Sequence, residues 1–572
     1  MLNLSFMKQK IGLLLLAVSL IGMNACKSDL LDKKYLDGFS EESVWKDKNL
    51  AAGFVLGTYN TVLSDLYYNQ KLDDYTDNNC NNYSNNVTLE NFDNTYDAGW
   101  NQYGRIRRCN LILEKLGAST TIPDADKKTM MAEARFLRAM VYFYLAQRFG
   151  GVMIVDKVYD QNEADFRFPR KSIQEVYDFV LKDLDDAAID LPTTAETGKA
   201  TKGAALAMIT RVGLQAAAYV PAKKADYLAK VTTAATAVFS LGYAMDADYF
   251  GMFNDFGKAQ ASKELILAYF RRAINNTFSG CAMQYLCPNH GNEKLNPGYD
   301  HPPFVESFEG WPERFPSQNL VDAYEVTDAD GTAKKWNATS YYTNYQASGG
   351  YVSQVLYKNR DKRFYATVVY DSVKLFNNLV ETRAMGNLNR LSNNGGEWGV
   401  SESNYYYRKG LYEAKKVWYS DPTDHHQSVI RLGEVYLNYA EALLLTNHYA
   451  DAVQAINQTR QTHGGLPPLV ATTAAAAWTA YTNERRVEMV LEEDRYWSLL
   501  RWAKFNGQQT IPELTEPIRG IDISADGKSF SFITVTINNN SNRQFTARRF
   551  LFPVPVGQIQ ANPNLAPNNA GW

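Results

Sequence analysis

The sequence lacks the features that define several large protein classes. Lys and Arg total 59 against 62 Asp and Glu, so no basic excess supports nucleic-acid binding. Five cysteines in 572 residues are too few for a disulfide framework. Beyond the N-terminus, no apolar run approaches the roughly 18 residues of a membrane-spanning helix. With 45% hydrophobic and 21% charged residues, the chain is expected to be an ordinary globular protein.

The N-terminus has the pattern of a secretory signal. Lys8 and Lys10 precede an apolar run over residues 11–21, and Ala25 stands directly before Cys26. This apolar run covers about 16 Å as a helix, well short of a bilayer core of roughly 30 Å. A small residue followed by cysteine resembles the bacterial lipobox, in which the thiol is acylated. We therefore predict a signal peptide over residues 1–25 and a lipid anchor on Cys26.

Three points in this interpretation stay open. Met23 and Asn24 depart from the usual lipobox residues, and without acylation Cys26 is an ordinary cysteine behind a plain signal peptide. Met1 and Met7 are both candidate translation starts. Four cysteines remain for the mature chain, and they form either two disulfides or free buried thiols: Cys80, Cys109, Cys281 and Cys287.

The acidic residues do not form a recognisable catalytic motif. A glycosidase needs two carboxylates roughly 5–10 Å apart, one of them with a raised pKa. Glu306, Glu309 and Glu313, near Trp311, are the best candidates, but they are better explained as solvated loop acids. The sequence contains no G-x-S-x-G motif, which would indicate a nucleophilic serine. We therefore expect no catalytic residue.

Metal-binding motifs are equally scarce. His425 and His426 are neighbours, and they lack the i,i+4 spacing of two zinc ligands on one helix. Two cysteines and a histidine within residues 281–290 lack a fourth ligand. The Asp- and Asn-rich loops have suitable oxygen atoms for a structural calcium, but no EF-hand spacing occurs. We expect no cofactor and no metal site beyond that possible calcium.

Helical periodicity covers both ends of the chain but not its middle. Ser172 followed by Glu175 is a capping-box pattern. The predicted helices span residues 40–61, 99–116, 126–149, 172–190, 202–219, 225–241, 429–445, 449–462, 474–481 and 484–505. Between them Gly, Pro, Asn and aromatic residues dominate, with a strand-like run over residues 363–370.

We predict one mostly α-helical domain over residues 26–572. Its helical scaffold spans about residues 40–270 and 428–506, its irregular region about 273–425, and its irregular C-terminal segment 511–572. No Pro-, Ser- or charge-rich linker separates these parts. A tetratricopeptide pattern occurs within residues 434–460, at Tyr436, Tyr439, Ala440, Leu443, Ala452 and Ile456. The alternative is a generic antiparallel helix pair.

Five segments resemble, in order, the signature blocks of the SusD/RagB family. They are EARFLRAMVYFYLAQRFGGV (133–152), PSQNLVDAYEVTDADG (316–331), RLGEVYLNYAEALL (431–444), ERRVEMVLEEDRYWSLLRW (484–502) and FLFPVPVGQIQANPNLAPNNAGW (550–572). We expect these residues to determine the fold rather than to contact ligand. The Arg and Glu residues of 484–495 have a spacing that favours i,i+4 ion pairs.

The resemblance implies a tetratricopeptide-like scaffold that carries an irregular ligand-binding region. It also implies a non-catalytic lipoprotein at the surface of the outer membrane, which captures oligosaccharide and passes it to a SusC-like TonB-dependent transporter. Residues 27–32 only partly match the acidic surface-export signal of such proteins. Two other functions stay open: a secreted glycoside-active enzyme, and a surface lipoprotein that binds peptide or host protein.

Aromatic residues beside amides on loops are what a sugar-binding site requires. Rings stack on the apolar faces of sugars, and amides and guanidinium groups bind the hydroxyls. Each aromatic residue can instead serve packing, as we expect for Trp100. The predicted contacts are Tyr75, Asn78, Asn81 and Tyr83 in an Asn-rich loop, Tyr299, Trp311 and Arg314 before the second block, and Tyr341 with its neighbours Trp336, Tyr342 and Tyr345.

Overall fold

The protein combines a stack of long helices with a region of short strands and turns. The structure is a computed structural model that describes residues 41–160, 162, 165–290, 308–390, 399–413, 418–470 and 473–572. The predicted signal peptide, Cys26 and the candidate contact Tyr299 lie outside these residues, as does Glu306. The predicted limits of a single domain stay a prediction.

Long helices occupy the two parts of the chain where periodicity predicts them. In the described residues the α-helices α1–α18 span Glu41–Val44, Lys48–Leu66, Tyr103–Ala118, Asp124–Phe149, Ile173–Asp190, Lys202–Tyr219, Lys224–Phe239, Tyr249–Asn254, Phe256–Ala261, Gln318–Val321, Ser340–Ser348, Val352–Leu356, Lys362–Thr367, Leu432–Leu445, Tyr449–Thr462, Ala474–Glu488, Arg495–Phe505 and Val556–Ala561. Consecutive long helices pack on one another from α3 to α7 and from α14 to α16.

Strands are short and pair only in twos. In the described residues β1–β14 span Asn79–Asn81, Leu265–Arg271, Asn289–His290, Phe308–Glu309, Arg314–Pro316, Val326–Thr327, Ala333–Lys334, Val368–Val369, Val373–Leu375, Asn378–Val380, Tyr406–Tyr407, His425–Arg431, Arg519–Ile523 and Phe530–Thr534. The antiparallel pairs are β1–β5, β2–β12, β3–β4, β6–β7, β8–β11, β9–β10 and β13–β14. Such sheets cannot form a core alone, so the helices supply the main one.

Local sequence signals explain how the helical stack forms. The predicted capping box is confirmed, because the Ser172 nitrogen donates to Glu175 Oε2 at 2.8 Å and the Glu175 nitrogen donates back to Ser172 Oγ. Gly213 in α6 allows close approach to α7, since a Cβ there would lie 2.6 Å from Val231 Cγ2. Ala440 and Ala452 are fully buried where α14 packs on α15, as the tetratricopeptide pattern predicts.

A second hydrophobic cluster occupies the irregular region. It contains the buried side chains of Phe315, Tyr324 and Phe364, and it extends to Ile521 in the C-terminal segment. Val487 near the end of α16 belongs to it as well, so this helix contributes to both halves of the molecule. The predicted core position of Trp100 is confirmed in the first cluster, where its side chain is 2% exposed.

Several predicted elements are wrong in their limits or type, including the helix over residues 40–61, which divides into α1 and α2 and ends at Leu66. Three others show the reason. Residues 429–431 form the end of β12, because they pair with β2 before α14 begins at Leu432. The strand predicted over residues 363–370 is instead mostly the helix α13, and Asp361 caps the N-terminus of this helix. Only Val368–Val369 is a strand. The helix predicted over residues 484–505 is interrupted between Glu488 and Arg495. In each case tertiary pairing outweighs local propensity.

Charged residues explain the interruption after α16, because they form a buried ion network. Arg431 Nη1 lies 2.8 Å from Glu264 Oε1 and 2.6 Å from Glu488 Oε1, and its Nε lies 2.7 Å from Glu492 Oε2. Arg363 in α13 contacts the second oxygen of Glu488 at 2.7 Å. Both guanidinium groups are inaccessible to solvent, so each depends on these carboxylates for its charge balance.

The family-block residues therefore act through long-range pairs and not through the i,i+4 pairs that we expected. Arg485 binds Asp494 at 2.6 Å, and Glu484 binds Arg363 from the irregular region. Removing one partner of such a buried pair typically costs about 3–5 kcal/mol, because the other charge stays buried without compensation. The expectation that these residues determine the fold agrees with this arrangement.

The described cysteines are free thiols, and all four are buried: Cys80, Cys109, Cys281 and Cys287. Burial raises the pKa of Cys281 to about 11 and that of Cys109 to about 12, so these thiols are poorly reactive at neutral pH. Among the described helices, none is long and apolar enough to span a bilayer.

His463 completes the network between two carboxylates. Its Nδ1 lies 2.7 Å from Glu488 and its Nε2 3.0 Å from Glu264. Burial works to lower the pKa of His463, but Glu488 and Glu264 outweigh burial and raise this pKa from 6.5 to about 9. His463 is therefore an imidazolium at neutral pH, and it adds a third cation that these carboxylates bind.

We predict that replacing His463 with Gln removes part of the pH dependence of stability. A raised folded-state pKa gives stability that is complete below pH 6.5 and is lost as pH rises towards 9. Between pH 6.5 and 8, the parent should lose about 2 kcal/mol of unfolding free energy relative to H463Q. Urea denaturation at both pH values measures this difference. H448Q, at an exposed histidine, is the control. Parallel pH profiles for parent and H463Q would contradict the assignment.

Candidate functional site

Strand pairing brings two of the three predicted ligand-binding loops together. β1 in the Asn-rich loop pairs with β5, with Asn81 opposite Arg314 and Asn79 opposite Pro316. The Asn82 nitrogen extends the pairing by donating to the Glu313 oxygen at 2.9 Å. The loops that contain residues 75–83 and residues 311–314 therefore lie side by side.

Tyr83 and Trp311 are the predicted contacts that offer ring surface on this face. Trp311 is 45% exposed, and its nitrogen donates to the Gln284 oxygen at 2.8 Å, which fixes its backbone. Tyr83 is half-buried, and its hydroxyl donates to Asp74 Oδ2 at 3.2 Å. An exposed indole on a fixed backbone and a tyrosine ring oriented by a carboxylate are suited to stacking against a sugar.

The other predicted contacts in these loops serve to hold them, and they are buried apart from the half-buried Tyr75. Asn78 is fully buried and accepts a hydrogen bond from Arg486 Nε at 2.9 Å. Asn81 donates to the Asp74 oxygen at 2.9 Å, and Tyr75 packs edge-on against Tyr496. Their contact with ligand stays a prediction. Their observed contacts position the loop.

Arg314 is also buried, beneath the same surface. Its side chain is nearly inaccessible to solvent and donates to Asn69 Oδ1. Burial works against its charge, but Asp74 and Glu493 raise the pKa of Arg314 overall. The guanidinium therefore stays charged and balances the acidic residues under the loop.

The third predicted cluster packs against a different hairpin. Trp336 is buried, its Nε1 donates to Asp322 Oδ1 at 2.8 Å, and its ring contacts Phe532 of β14 edge-on. Tyr341, half-buried, accepts from Asn359 Nδ2 at 2.9 Å. Tyr342 and Tyr345 pack against Trp336 and against Phe530 of β14, respectively. This arrangement favours the packing alternative for Trp336, whereas Tyr341 keeps partly exposed surface.

One exposed aromatic pair, Trp418 and Tyr419, was not predicted from the sequence. Trp418 is 41% exposed and Tyr419 is 53% exposed. The Tyr419 nitrogen donates to Glu309 Oε2, and Glu309 is only two residues from Trp311. The signal in the sequence was a Trp-Tyr pair just before an Asp-Pro turn.

The acids near this surface are engaged as ion-pair or hydrogen-bond partners. Glu313 forms an ion pair with Lys71, whose ammonium also lies 4.7 Å from the centroid of the Tyr285 ring. Glu309 accepts from the backbone of Tyr419. An acid-and-base pair for glycoside hydrolysis needs one carboxyl poised as a proton donor across a cleft, and these contacts give no such arrangement in the described residues.

Three buried groups in the described residues are close enough to share a cation: Glu264, His463 and Glu488. The ligand atoms of this cluster already bind Arg431 or one another. Because a guanidinium and an imidazolium neutralise the two carboxylates, this donor set does not fit a metal ion.

A cluster of acidic residues lies beneath the Asn-rich loop that contains β1. Glu493 accepts hydrogen bonds from the backbone nitrogens of Lys71 at 3.0 Å and Leu72 at 2.6 Å, so it fixes the start of the loop. Burial raises the pKa of Glu493 to about 7, although Arg314 opposes the shift. Burial likewise raises the pKa of Asp73 to about 6. The loop therefore rests on groups that titrate near neutral pH.

A stack of helix pairs that presents aromatic and amide-rich loops defines a helical-repeat protein suited to ligand binding. The chain belongs to the SusD family, whose model matches residues 282–572. A second model, described as starch-binding associating with outer membrane, matches residues 39–214. The resemblance seen in the sequence is confirmed by these matches.

Individual relatives agree in sequence and in fold. SusD-like protein P38 of Formosa agariphila is 24% identical over 550 residues, which cover 89% of this chain and 93% of the relative. A SusD-like protein structure from Bacteroides fragilis has a TM-score of 0.75 at 26% identity and covers 94% of this chain and 100% of its own. A second B. fragilis structure, a SusD-like carbohydrate binding protein, has a TM-score of 0.69 at 22% identity, covering 92% and 100%. The predicted tetratricopeptide-like fold is confirmed.

We predict that Glu493→Gln changes how stability depends on pH. Because its pKa is raised from 4.5 to about 7, the folded protein keeps this proton over a range where the unfolded chain has lost it. Stability conferred at this site therefore falls as pH rises from 5 to 8. E493Q keeps an acceptor oxygen. Over that pH range its unfolding free energy should increase by about 1–3 kcal/mol relative to that of the parent.

Urea denaturation at pH 5, 6, 7 and 8 measures this gain. E516Q removes an exposed carboxylate near the C-terminal segment and serves as the matched control. A constant difference between E493Q and the parent at all four pH values would contradict a raised pKa for Glu493.

Proposed function

We propose that the protein captures oligosaccharide or polysaccharide at the bacterial surface. The observation that carries the proposal is the face formed by β1 and β5, where Trp311 and Tyr83 offer ring surface beside amides. Family membership supports it, as does the fold shared with a SusD-like carbohydrate binding protein and with a laminarin binding SusD-like protein. Stacking rings with neighbouring polar groups is the usual chemistry of sugar recognition.

The protein acts in this proposal as a binder and not as an enzyme. Glu309 and Glu313 are held by the Tyr419 backbone and by Lys71, which supports a structural role for them. Exposed rings over a fixed floor bind a polymer chain reversibly, and release requires no covalent step.

The captured glycan is then passed to a SusC-like TonB-dependent transporter in the outer membrane. The second family description, which associates such chains with the outer membrane, supports this location. A lipid on Cys26 holds the chain at the surface in this proposal. A transporter partner follows from the resemblance and is part of the proposal.

We expect Trp311→Ala to lower glycan affinity about tenfold, which is about 1.4 kcal/mol, without unfolding the protein. Tyr83→Ala should weaken binding as well, because its ring and its bond to Asp74 are lost together. The measurement is affinity electrophoresis of residues 27–572 in gels containing a panel of soluble polysaccharides, followed by calorimetry with the retained polymer.

The control is Phe166→Ala, which removes an exposed aromatic residue from a different segment. Unchanged affinity in both W311A and Y83A would refute the site. Shortened polymer products would instead favour a glycoside-active enzyme, and binding of peptides alone would favour the peptide- or host-protein-binding alternative.

We also predict that Cys26→Ser releases the protein from the membrane. The full chain, expressed in a Bacteroidota host, should fractionate with the outer membrane and be accessible to added protease. C26S should be found in the soluble fraction, because a plain signal peptide leaves no anchor. Ser28→Ala is the control for substitution near the cleavage site. Membrane association of C26S equal to that of the parent would show that Cys26 is not acylated.

A further inference from the structure

A second groove lies between α2 and β2. Its volume is about 880 Å³, within the range of small-molecule sites. The exposed face of α2 forms one wall with Asn60, and Tyr269 of β2 forms the other. The loop residue Lys199 and the segment that follows β2 also line the groove.

Aromatic residues in this groove are oriented by polar contacts. The Tyr269 hydroxyl donates to Asn60 Oδ1 at 2.6 Å, so one bond joins the two walls. The rings of Tyr68 and Tyr269 meet edge-to-face, with centroids 5.6 Å apart. Tyr68 is fixed in turn, because its hydroxyl accepts from the Ala282 nitrogen at 2.7 Å. Both rings are half-buried and keep surface towards the groove.

Two arginines of the groove carry positive charge that no described carboxylate neutralises, whereas Lys199 pairs with Glu196 at 3.2 Å. Arg271 lies with its guanidinium carbon 5.1 Å from the centroid of the Tyr68 ring, and it donates to the Gly280 oxygen. Among the described residues, neither Arg271 nor Arg272 has an acidic partner within ion-pair distance. Most other arginines of the fold have one, such as Arg211 with Glu434 at 2.6 Å.

A buried amide that lines the groove keeps an acceptor without a partner among the described residues. Asn276 is 6% exposed and lines the groove. Its Nδ2 donates to the Thr423 oxygen at 2.7 Å, which fixes the amide plane. Its Oδ1 has no hydrogen-bond partner in the described part of the chain. A buried acceptor of this kind is costly unless a bound group donates to it, as a sugar hydroxyl would.

We propose that this groove is a second binding site, for a sugar residue that bears a carboxylate. Arg271 binds the carboxylate, the ring of Tyr269 stacks on the sugar, and Asn276 accepts from a hydroxyl. A guanidinium matches a carboxylate in planar, bidentate geometry, which distinguishes a uronate from a neutral sugar. The site differs in chemistry from the face around Trp311, so it adds to the proposed function and does not depend on it.

The test uses calorimetry with trimers of galacturonate, mannuronate and guluronate, and with maltotriose and mannotriose as neutral matches. At least one uronate trimer should bind residues 27–572. Arg271→Gln should weaken that binding tenfold or more, and R271K should weaken it less, because lysine keeps the charge but loses the fork. Y269A should also weaken it tenfold, whereas Y269F, which keeps the ring, should weaken it by less.

Two controls separate this site from the rest of the molecule. Arg167→Gln removes an exposed arginine paired with Asp165 and should leave uronate binding unchanged. W311A should also leave it unchanged, so that failure of the proposed polymer site and failure of this groove give different results. Unfolding curves of each variant, compared with the parent, establish that the variants are folded.

Three results would overturn the inference. The first is the absence of binding for all three uronate trimers by the parent. The second is uronate binding that R271Q and Y269A leave unchanged. The third is binding of triglutamate as tightly as of the uronates, which would show that the groove recognises acidic peptide and not sugar. A tenfold loss in R271Q and in Y269A, for a uronate but not for its neutral match, supports the inference.

Discussion

The buried ion network around Arg431 and Arg363 is the interaction on which the rest of the fold depends. Arg431 ends β12 beside the helical stack, whereas Arg363 lies in α13 of the irregular region. Both bind Glu488 at the end of α16. Because none of these charges can be buried alone, the two hydrophobic clusters can dock in only one arrangement. In this protein we therefore attribute to the network a role in specifying the docking, beyond any net gain in stability.

The same network shapes the floor of the ligand face. After α16 the chain turns through Leu491 and Glu493, both with left-handed φ near 60°, a conformation that costs bulky residues about 1–2 kcal/mol. The turn sends Glu492 to Arg431 and Glu493 to the backbone of Lys71. The charge network thus stabilises a strained turn, and the turn fixes the ligand loop. A loop fixed before binding loses less entropy when ligand arrives.

Local signals in the sequence predicted much of the fold. The capping box at Ser172 and the alanines at 440 and 452 act over a few residues, so they can be read without tertiary knowledge. The break between Glu488 and Arg495 could not be predicted in this way, because it arises from Arg363 and Arg431, which are distant in sequence. The periodic pattern predicts charged residues on a helix, whereas in the structure these residues pair with buried charges.

The candidate site was predictable at the level of loops and not of individual residues. Asn-rich and aromatic loops mark the face of β1 and β5, but burial decides the role of each side chain. The sequence pattern predicts Asn78 and Arg314 as sugar contacts, yet both lie beneath the face and stabilise it through hydrogen bonds. Tyr419 was not singled out from the sequence, and its backbone contact with Glu309 links it to the segment that carries Trp311. Pairing over more than a hundred residues brings these side chains together, and a linear pattern does not encode it.

One short segment joins the two ligand surfaces. The Ala282 nitrogen binds Tyr68 in the groove, and the Gln284 oxygen binds the backbone of Trp311. Two residues of chain span at most about 7 Å, and the buried Met283 between them anchors the segment in the second cluster. The surfaces are therefore held at a fixed separation. If both proposed surfaces bind glycan, a polymer that occupies one presents its next residues to the other at high effective concentration, so two modest affinities combine into firm but reversible capture.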